Sequence, residues 1–218
     1  TALYTNEAFD HGKMLEAQYS VDNCIKYLED TYGNSIDYKK IVVGVAPYTR
    51  GWKNVQSDGL DANNPGLYAT ADPNSVIAPD GTKSGTFGYY DLPNLMSQYG
   101  LQEYFDTTAK AAYYYGASSG YFFTCDNEQS VAYKGQYVRE KNLGGLIAWM
   151  ASHDPDSIIT KAMFTSLYGS DYVFPDQELV FTTIQATATI VAMDTSYDIT
   201  IKNLETDRKS TRLNSSHT

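Results

Sequence analysis

The chain has 218 residues, 42% of them hydrophobic, which is enough to build a sizeable core. Its formal charge of −10 argues against nucleic acid or an anionic membrane surface as a partner, because both require clustered Lys and Arg to neutralise phosphates. Its apolar runs fall short of the roughly 20 residues of a membrane span. Cys24 and Cys125 match no metal or redox spacing and are expected to be free thiols, and three scattered histidines suggest no metal cluster, so no cofactor is expected. Tyrosine is abundant, at 20 residues. Its flat apolar ring with a polar rim suits stacking on a sugar, although tyrosines also fill strands and barrel walls.

Residues 1–18 read as loop, broken by Asn6, Asp10, His11 and Gly12. Ser20 is placed to cap a helix in which Val21, Cys24, Ile25 and Leu28 share an apolar face, and Gly33 with Asn34 stops it. The run from Ile41 to Val45 empties into Ala46-Pro47-Tyr48-Thr49-Arg50-Gly51-Trp52, which predicts a fully buried parallel strand followed by a functional loop. The next convincing amphipathic helix starts only near Ser130, whereas a βα loop takes about 2 to 6 residues, so residues 56–127 are expected to be an inserted α+β subdomain. Within it the spacing predicts a short helix around Leu95 to Tyr99 and two strands, 109–115 and 120–125.

Residues 126–130 offer capping side chains for a helix reaching about Lys141, with Val131, Lys134, Gly135 and Val138 on one face. Residues 143–150 then repeat the buried-strand pattern, and a helix is expected over 158–167. Strand, insertion, helix, strand and helix follow the rhythm of the last part of a (β/α)8 TIM barrel. The expected fold class is therefore α/β, an incomplete barrel with an inserted subdomain: 1–55, barrel helix and strand; 56–127, insertion; 128–168, barrel helix, strand and helix; 169–177, linker. Residues 178–206 alternate with period two and read as the truncated start of a β-sandwich. Residues 207–218 look like the in-frame translation of a sequencing-library adapter and are set aside. The chain is accordingly expected to be a gene fragment that folds poorly by itself.

In a barrel of this kind the active site lies at the C-terminal ends of the strands. Tyr48, Arg50 and Trp52 follow the first such strand and Trp149 ends the second, so two neighbouring strand ends bring flat rings and a guanidinium together. Trp149 could instead plug the barrel, and Arg50 could pair with a carboxylate of the insertion. Asp91, Asp126, Glu128 and Asp154 each have an adequate capping or surface role, and none stands in an acid/base spacing.

The segment 40–52, the stretch Asp126-Asn127-Glu128-Gln129-Ser130-Val131 and the run Gly144-Gly145-Leu146-Ile147-Ala148-Trp149 resemble, in this order, the seventh strand, seventh helix and eighth strand of family 18 chitinases, especially the bacterial and viral chitinase A type. Thr1-Ala2-Leu3-Tyr4 and Tyr19-Ser20-Val21 are similar to the segment after the sixth strand of that family, and the insertion resembles its chitin-insertion subdomain. The resemblance covers about residues 1–168. It implies a retaining glycosidase of β-1,4-linked N-acetylglucosamine in which the N-acetyl oxygen of the substrate is the nucleophile, with the acid/base Glu on the fourth strand, upstream of Thr1. It implies that Trp149 is the floor under the distorted sugar, that Tyr48 and Arg50 line the cleft beside it, and that Tyr19 stands nearby; Trp52 is a further substrate-binding candidate from its place after the first strand.

Pro47 replaces the usual Phe or Met of the family, and Met150 replaces a commonly acidic residue. Chitin or N-acetylglucosamine oligosaccharides are the partners implied, with a secreted, monomeric parent and an inactive fragment. The alternatives are a chitin-binding lectin on the same barrel, and an endoglycosidase of N-glycans or a spore-cortex glycosidase, which the long aromatic insertion disfavours.

Overall fold

The structure is a computed structural model that describes residues 2–6, 19–56, 62–73 and 75–171, together with the backbone of three strands beyond them. The chain divides into two units, Thr1–Tyr172 and Val173–Thr218. The division falls inside the expected linker.

Helix α1 (Val21–Tyr32) starts where the Ser20 hydroxyl accepts a 3.1 Å hydrogen bond from the Asn23 N–H, and it stops at Gly33, whose φ of 51° with ψ of −123° lies outside the regions open to residues with a side chain. Its inner residue Ile25 packs with Leu3, Val43, Tyr137, Val138 and Leu143. Strand β1 (Val42–Val45) lies under this cluster. It pairs in parallel with β6 (Gly145–Ala148), Val42 opposite Gly145 and Val45 opposite Ala148.

Helix α3 (Glu128–Glu140) precedes β6 and begins with a reciprocal cap: Asn127 accepts from the Ser130 N–H while Ser130 accepts from the Asn127 N–H. Helix α4 (Ile158–Tyr168) follows β6. Val131 of α3 and Ile159 of α4 are fully buried against Val45. Gly135 lets the two helices touch, since a Cβ there would lie 2.0 Å from the Ser166 hydroxyl.

The expectation of two fully buried strands is corrected here. Only Val43 and Val45 of β1 are buried; Val42 and Ile147 are about half exposed, at 48% and 53%. The physical reason is that helices cover one face of the parallel pair, leaving the alternate side chains on the other open.

The sequence between the two parallel strands forms a second sheet, of four antiparallel strands in the order β2 (Arg50–Trp52), β5 (Tyr121–Thr124), β4 (Ala111–Gly116), β3 (Gln102–Asp106). Helix α2 (Leu92–Tyr99) covers one side and ends on the left-handed Gly100. Its residues Leu92 and Leu95 join Val76, Leu101, Tyr114 and Phe123 in one core; Val55, Leu67, Tyr113, Tyr115 and Phe122 form another on the opposite face.

Two differences from the sequence reading stand out. The sheet begins at Arg50 rather than 56, so the expected loop after β1 is itself a strand. Strand β3 was not foreseen: Gln102-Glu103-Tyr104-Phe105-Asp106 lacks a clean alternation because it is the outer strand, with two exposed and two half-buried residues before Asp106.

The second unit contains β7 (Ala186–Met193), β8 (Ser196–Asn203) and β9 (Thr211–Ser215), an antiparallel meander in that order. The first two match the expected alternating strands. The third falls in residues that were set aside, and it pairs along the free edge of β8.

Candidate functional site

The segment after β1 is pinned by one buried hydroxyl. Thr49 is fully buried; its Oγ1 donates to the Gly85 carbonyl at 2.6 Å and accepts from the Phe87 N–H at 3.0 Å, and its own N–H donates to the Phe87 carbonyl. Pro47, Thr49 and Gly51 are buried. Period-two alternation therefore puts Tyr48, Arg50 and Trp52 together on the other face.

That face borders a cavity of about 1010 Å³. Tyr48, Arg50, Trp52, Tyr68, Asp106 and Asp126 are among its walls. The Arg50 guanidinium lies 5.6 Å from the Tyr48 ring centre, close enough for a cation–π contact, and one of its nitrogens donates to the Thr86 hydroxyl at 2.9 Å. The carboxylate partner considered for Arg50 is thus replaced by a neutral hydroxyl. Trp52 meets Phe122 edge to face at 6.1 Å, and Phe122 stacks on Tyr113, which stacks on Tyr104, so one aromatic row crosses all four strands.

Trp149 follows β6 immediately, and its N–H donates to the carbonyl of Val45 at the end of β1. Trp149 is 72% exposed and is not part of the cavity wall; the peptide bond to Met150 is cis. The loop behind it returns to Tyr48 through His153, whose ring meets the Tyr48 ring edge to face at 6.1 Å. Tyr19 is exposed one residue before the Ser20 cap and is likewise outside the cavity wall. The structure therefore gathers Tyr48, Arg50 and Trp52, sets Trp149 at the adjoining strand end, and leaves Tyr19 apart from the cavity.

The carboxylates have fixed employment. Asp154 caps α4, accepting from the N–H groups of Ile159 and Thr160 and from the Thr160 hydroxyl. Asp106 accepts from Asn6, from Tyr68 and from the N–H groups of Thr108 and Ala109.

Asp126 has neither of the roles expected of it. It is buried, 2.6 Å from the ammonium of the fully buried Lys134; it also accepts from the Ser130 hydroxyl and the Ala46 N–H, while Lys134 donates onward to the Gly44 carbonyl. Burial would raise its pKa, but the Lys134 charge and the hydrogen bonds outweigh burial and hold the carboxyl below its ordinary value. The pair thus ties the end of β1 to the start of α3. Burial, helped by the neighbouring Asp126, pushes the Cys125 thiol up, so Cys125 is an inert core residue; both cysteines are free.

A family model described as Glycosyl hydrolases family 18 matches residues 1–154. The chain belongs to glycosyl hydrolase family 18. This family 18 chain is 35% identical over 130 residues to chitinase A1 of Niallia circulans, a match covering 59% of the chain and 18% of that relative. It is 33% identical over 141 residues to a probable endochitinase of Orgyia pseudotsugata multicapsid polyhedrosis virus, covering 65% of the chain and 24% of the relative. The chain thus spans less than a quarter of either relative. Among solved structures it resembles a family 18 N-acetylglucosaminidase of Paenibacillus barengoltzii, with a TM-score of 0.57 at 27% identity over 77% of this chain and 42% of that one. It also resembles the Cycas revoluta family 18 chitinase solved with (GlcNAc)3, with a TM-score of 0.53 at 26% identity over 68% and 39% of the two chains.

Sequence reasoning on this family 18 chain missed the Asp126, Ser130 and Lys134 cluster. The signal was present: the three residues are spaced by four, which stacks Ser130 and Lys134 on α3 with Asp126 just ahead of its cap, and a lysine on an otherwise apolar face needs a counter-charge. Thr86 carried no signal, because only the tertiary pairing of Tyr48 with Gly88 brings that segment beside Arg50.

Proposed function

We propose that the chain is the C-terminal part of a secreted chitinase whose barrel is completed by sequence outside it, β1 and β6 being the seventh and eighth barrel strands. The parent hydrolyses β-1,4-linked N-acetylglucosamine with retention, the N-acetyl oxygen of the substrate attacking the anomeric carbon and a Glu of the parent protonating the leaving oxygen. In this reading the part played by these residues is to hold the sugar. Trp149 offers a ring face at the end of β6, Tyr48 and Trp52 a wall at the end of β1, and Arg50 hydrogen-bond donors between them. The observation that carries the reading is the shared face of Tyr48, Arg50 and Trp52 beside Trp149, in a chain belonging to family 18. Asp106 and Asp126 on the cavity wall, and Asp154 ahead of α4, are committed to hydrogen bonds and an ion pair, which is why the acid is assigned to another part of the parent.

The test has two readouts. N-acetylglucosamine oligomers are expected to quench or shift the emission of the two tryptophans, Trp52 and Trp149, and Trp149→Ala is expected to weaken binding about tenfold, the usual cost of losing an aromatic that the ligand covers. Release of new reducing ends by the chain alone is expected to be nil. Rapid hydrolysis would sink the assignment of the acid to another part of the parent, and absence of any oligomer binding would sink the cleft.

A further inference from the structure

We propose that Tyr99 and Tyr121, stacked at the far end of the antiparallel sheet from the cleft, are a site of oxidative modification, where hydrogen peroxide acting through a haem peroxidase couples the two rings into a dityrosine staple between α2 and β5.

Tyr99 is the last residue of α2 and Tyr121 the first of β5. Their ring centres are 3.9 Å apart and their planes only 14° from parallel, the closest ring pairing between described residues. Burial pushes the Tyr99 hydroxyl up and the neighbouring Tyr121 phenol adds to that shift, so the hydroxyl ends of the two rings lie together. Parallel rings with their hydroxyl ends together set the ortho carbons of one ring against those of the other. That is the geometry a carbon–carbon bond between them requires.

The surroundings hold this pair in place without sealing it. Ser119 Oγ donates to the Tyr99 carbonyl at 2.7 Å and accepts from the Tyr121 N–H at 3.4 Å, so one side chain fixes both backbones. The ring of the fully buried Phe123 runs nearly parallel to both, 6.1 Å from Tyr99 and 6.3 Å from Tyr121. Both tyrosines are half-buried, which leaves an edge of each open to an oxidant. The other described tyrosine pairs lack this combination. Tyr104 and Tyr113 stack at 5.3 Å with Tyr113 buried, and Tyr4 meets Tyr137 edge to face at 6.0 Å.

The coupling balances as a two-electron oxidation. Each phenol gives up one hydrogen atom, an electron and the proton of its hydroxyl, to the peroxidase that hydrogen peroxide has oxidised. The two phenoxyl radicals pair their unpaired electrons in a bond between ortho carbons, and the hydrogen on each of those carbons moves to the phenolic oxygen, which restores both aromatic rings. The protein loses two hydrogens in all, and one hydrogen peroxide becomes two waters. Both cysteines being free, this bond would be the covalent cross-link of the sheet. Like any cross-link between positions distant in sequence, it restricts the unfolded chain and so favours the folded one.

The experiment treats the full chain, dilute, with hydrogen peroxide and a catalytic amount of haem peroxidase, and reads dityrosine emission, the intact mass and the cross-linked peptides. The wild type is expected to stay monomeric, to lose two hydrogens, to yield a Tyr99–Tyr121 peptide pair as its main product, and afterwards to unfold at higher urea. Tyr99→Phe and Tyr121→Phe are each expected to cut the emission about tenfold, because the remaining tyrosine has lost its positioned partner. Tyr104→Phe is expected to leave it unchanged. Each variant keeps its ring, so before oxidation the urea midpoints should match wild type. Dityrosine found mainly at other positions or only between molecules overturns the inference, as does undiminished emission from Tyr121→Phe. So does a wild type that forms none under conditions that couple free tyrosine. A coupled protein whose urea midpoint has not risen overturns the staple.

Discussion

The two sheets of the first unit solve the burial problem in opposite ways. The parallel pair β1 and β6 has helices on one face only, and a buried ion pair, Asp126 with Lys134, ties its end to α3. The antiparallel sheet β2 to β5 is covered on both faces by its own residues: α2 and Val76 on one side, and the row of Trp52, Phe122, Tyr113 and Tyr104 on the other. Strands β3, β4 and β5 close locally through short turns, and β2 joins β5 from the far side of the insertion, whereas the parallel pair depends wholly on distant segments. The proposed binding face joins the two sheets, with Tyr48 between them and Arg50 and Trp52 on β2.

The contrast can be broken at its two anchors. Phe123 is fully buried in the antiparallel core, and Phe123→Ala is expected to cost about 3 to 5 kcal/mol in urea unfolding of the full chain. Lys134→Met should cost about as much, roughly 3 to 5 kcal/mol, because it strands a buried carboxylate, while the double replacement Asp126→Asn with Lys134→Met should recover most of the loss. A Lys134→Met variant as stable as wild type would show that the pair contributes nothing to holding β1.

Two glycines sharpen the comparison. A Cβ on Gly51 would lie 2.5 Å from the Phe123 ring, so Gly51→Ala is expected to destabilise by about 1 to 3 kcal/mol. A Cβ on Gly44, in the parallel strand, meets nothing within 4 Å, and Gly44→Ala should change stability by no more than about 0.5 kcal/mol. Equal effects at the two sites would contradict the difference in packing.

Acid supplies the subtlest test. The Asp126 carboxyl is depressed in the folded chain, so its contribution is present above the ordinary carboxylate value, near 3.9, and is lost as pH falls through the lower folded value. Stability measured by urea unfolding should therefore decline below about pH 4 in the wild type. The decline should be shallower in the double variant, and parallel profiles would assign the acid sensitivity elsewhere.

Much of this could be read from the order of residues alone. Helix α1 follows from Ser20 and Gly33 as start and stop signals, α3 from Asn127 and Ser130, and β1 and β6 from short apolar runs, since these are local preferences that need no partner to be expressed. The ordered motifs around Tyr48, Asp126 and Trp149 likewise pointed to the family that the comparisons bear out.

Tertiary structure decided what locality cannot reach. Strand β3 exists because β4 offers it an edge. Arg50 finds Thr86 across 36 residues, and Asp126 is an ion-pair partner rather than a cap because α3 turns Lys134 inward beneath β1. Chain order determined which elements form; the pairing of segments far apart in sequence determined which face each charged side chain meets, because a charge responds to its neighbours in space.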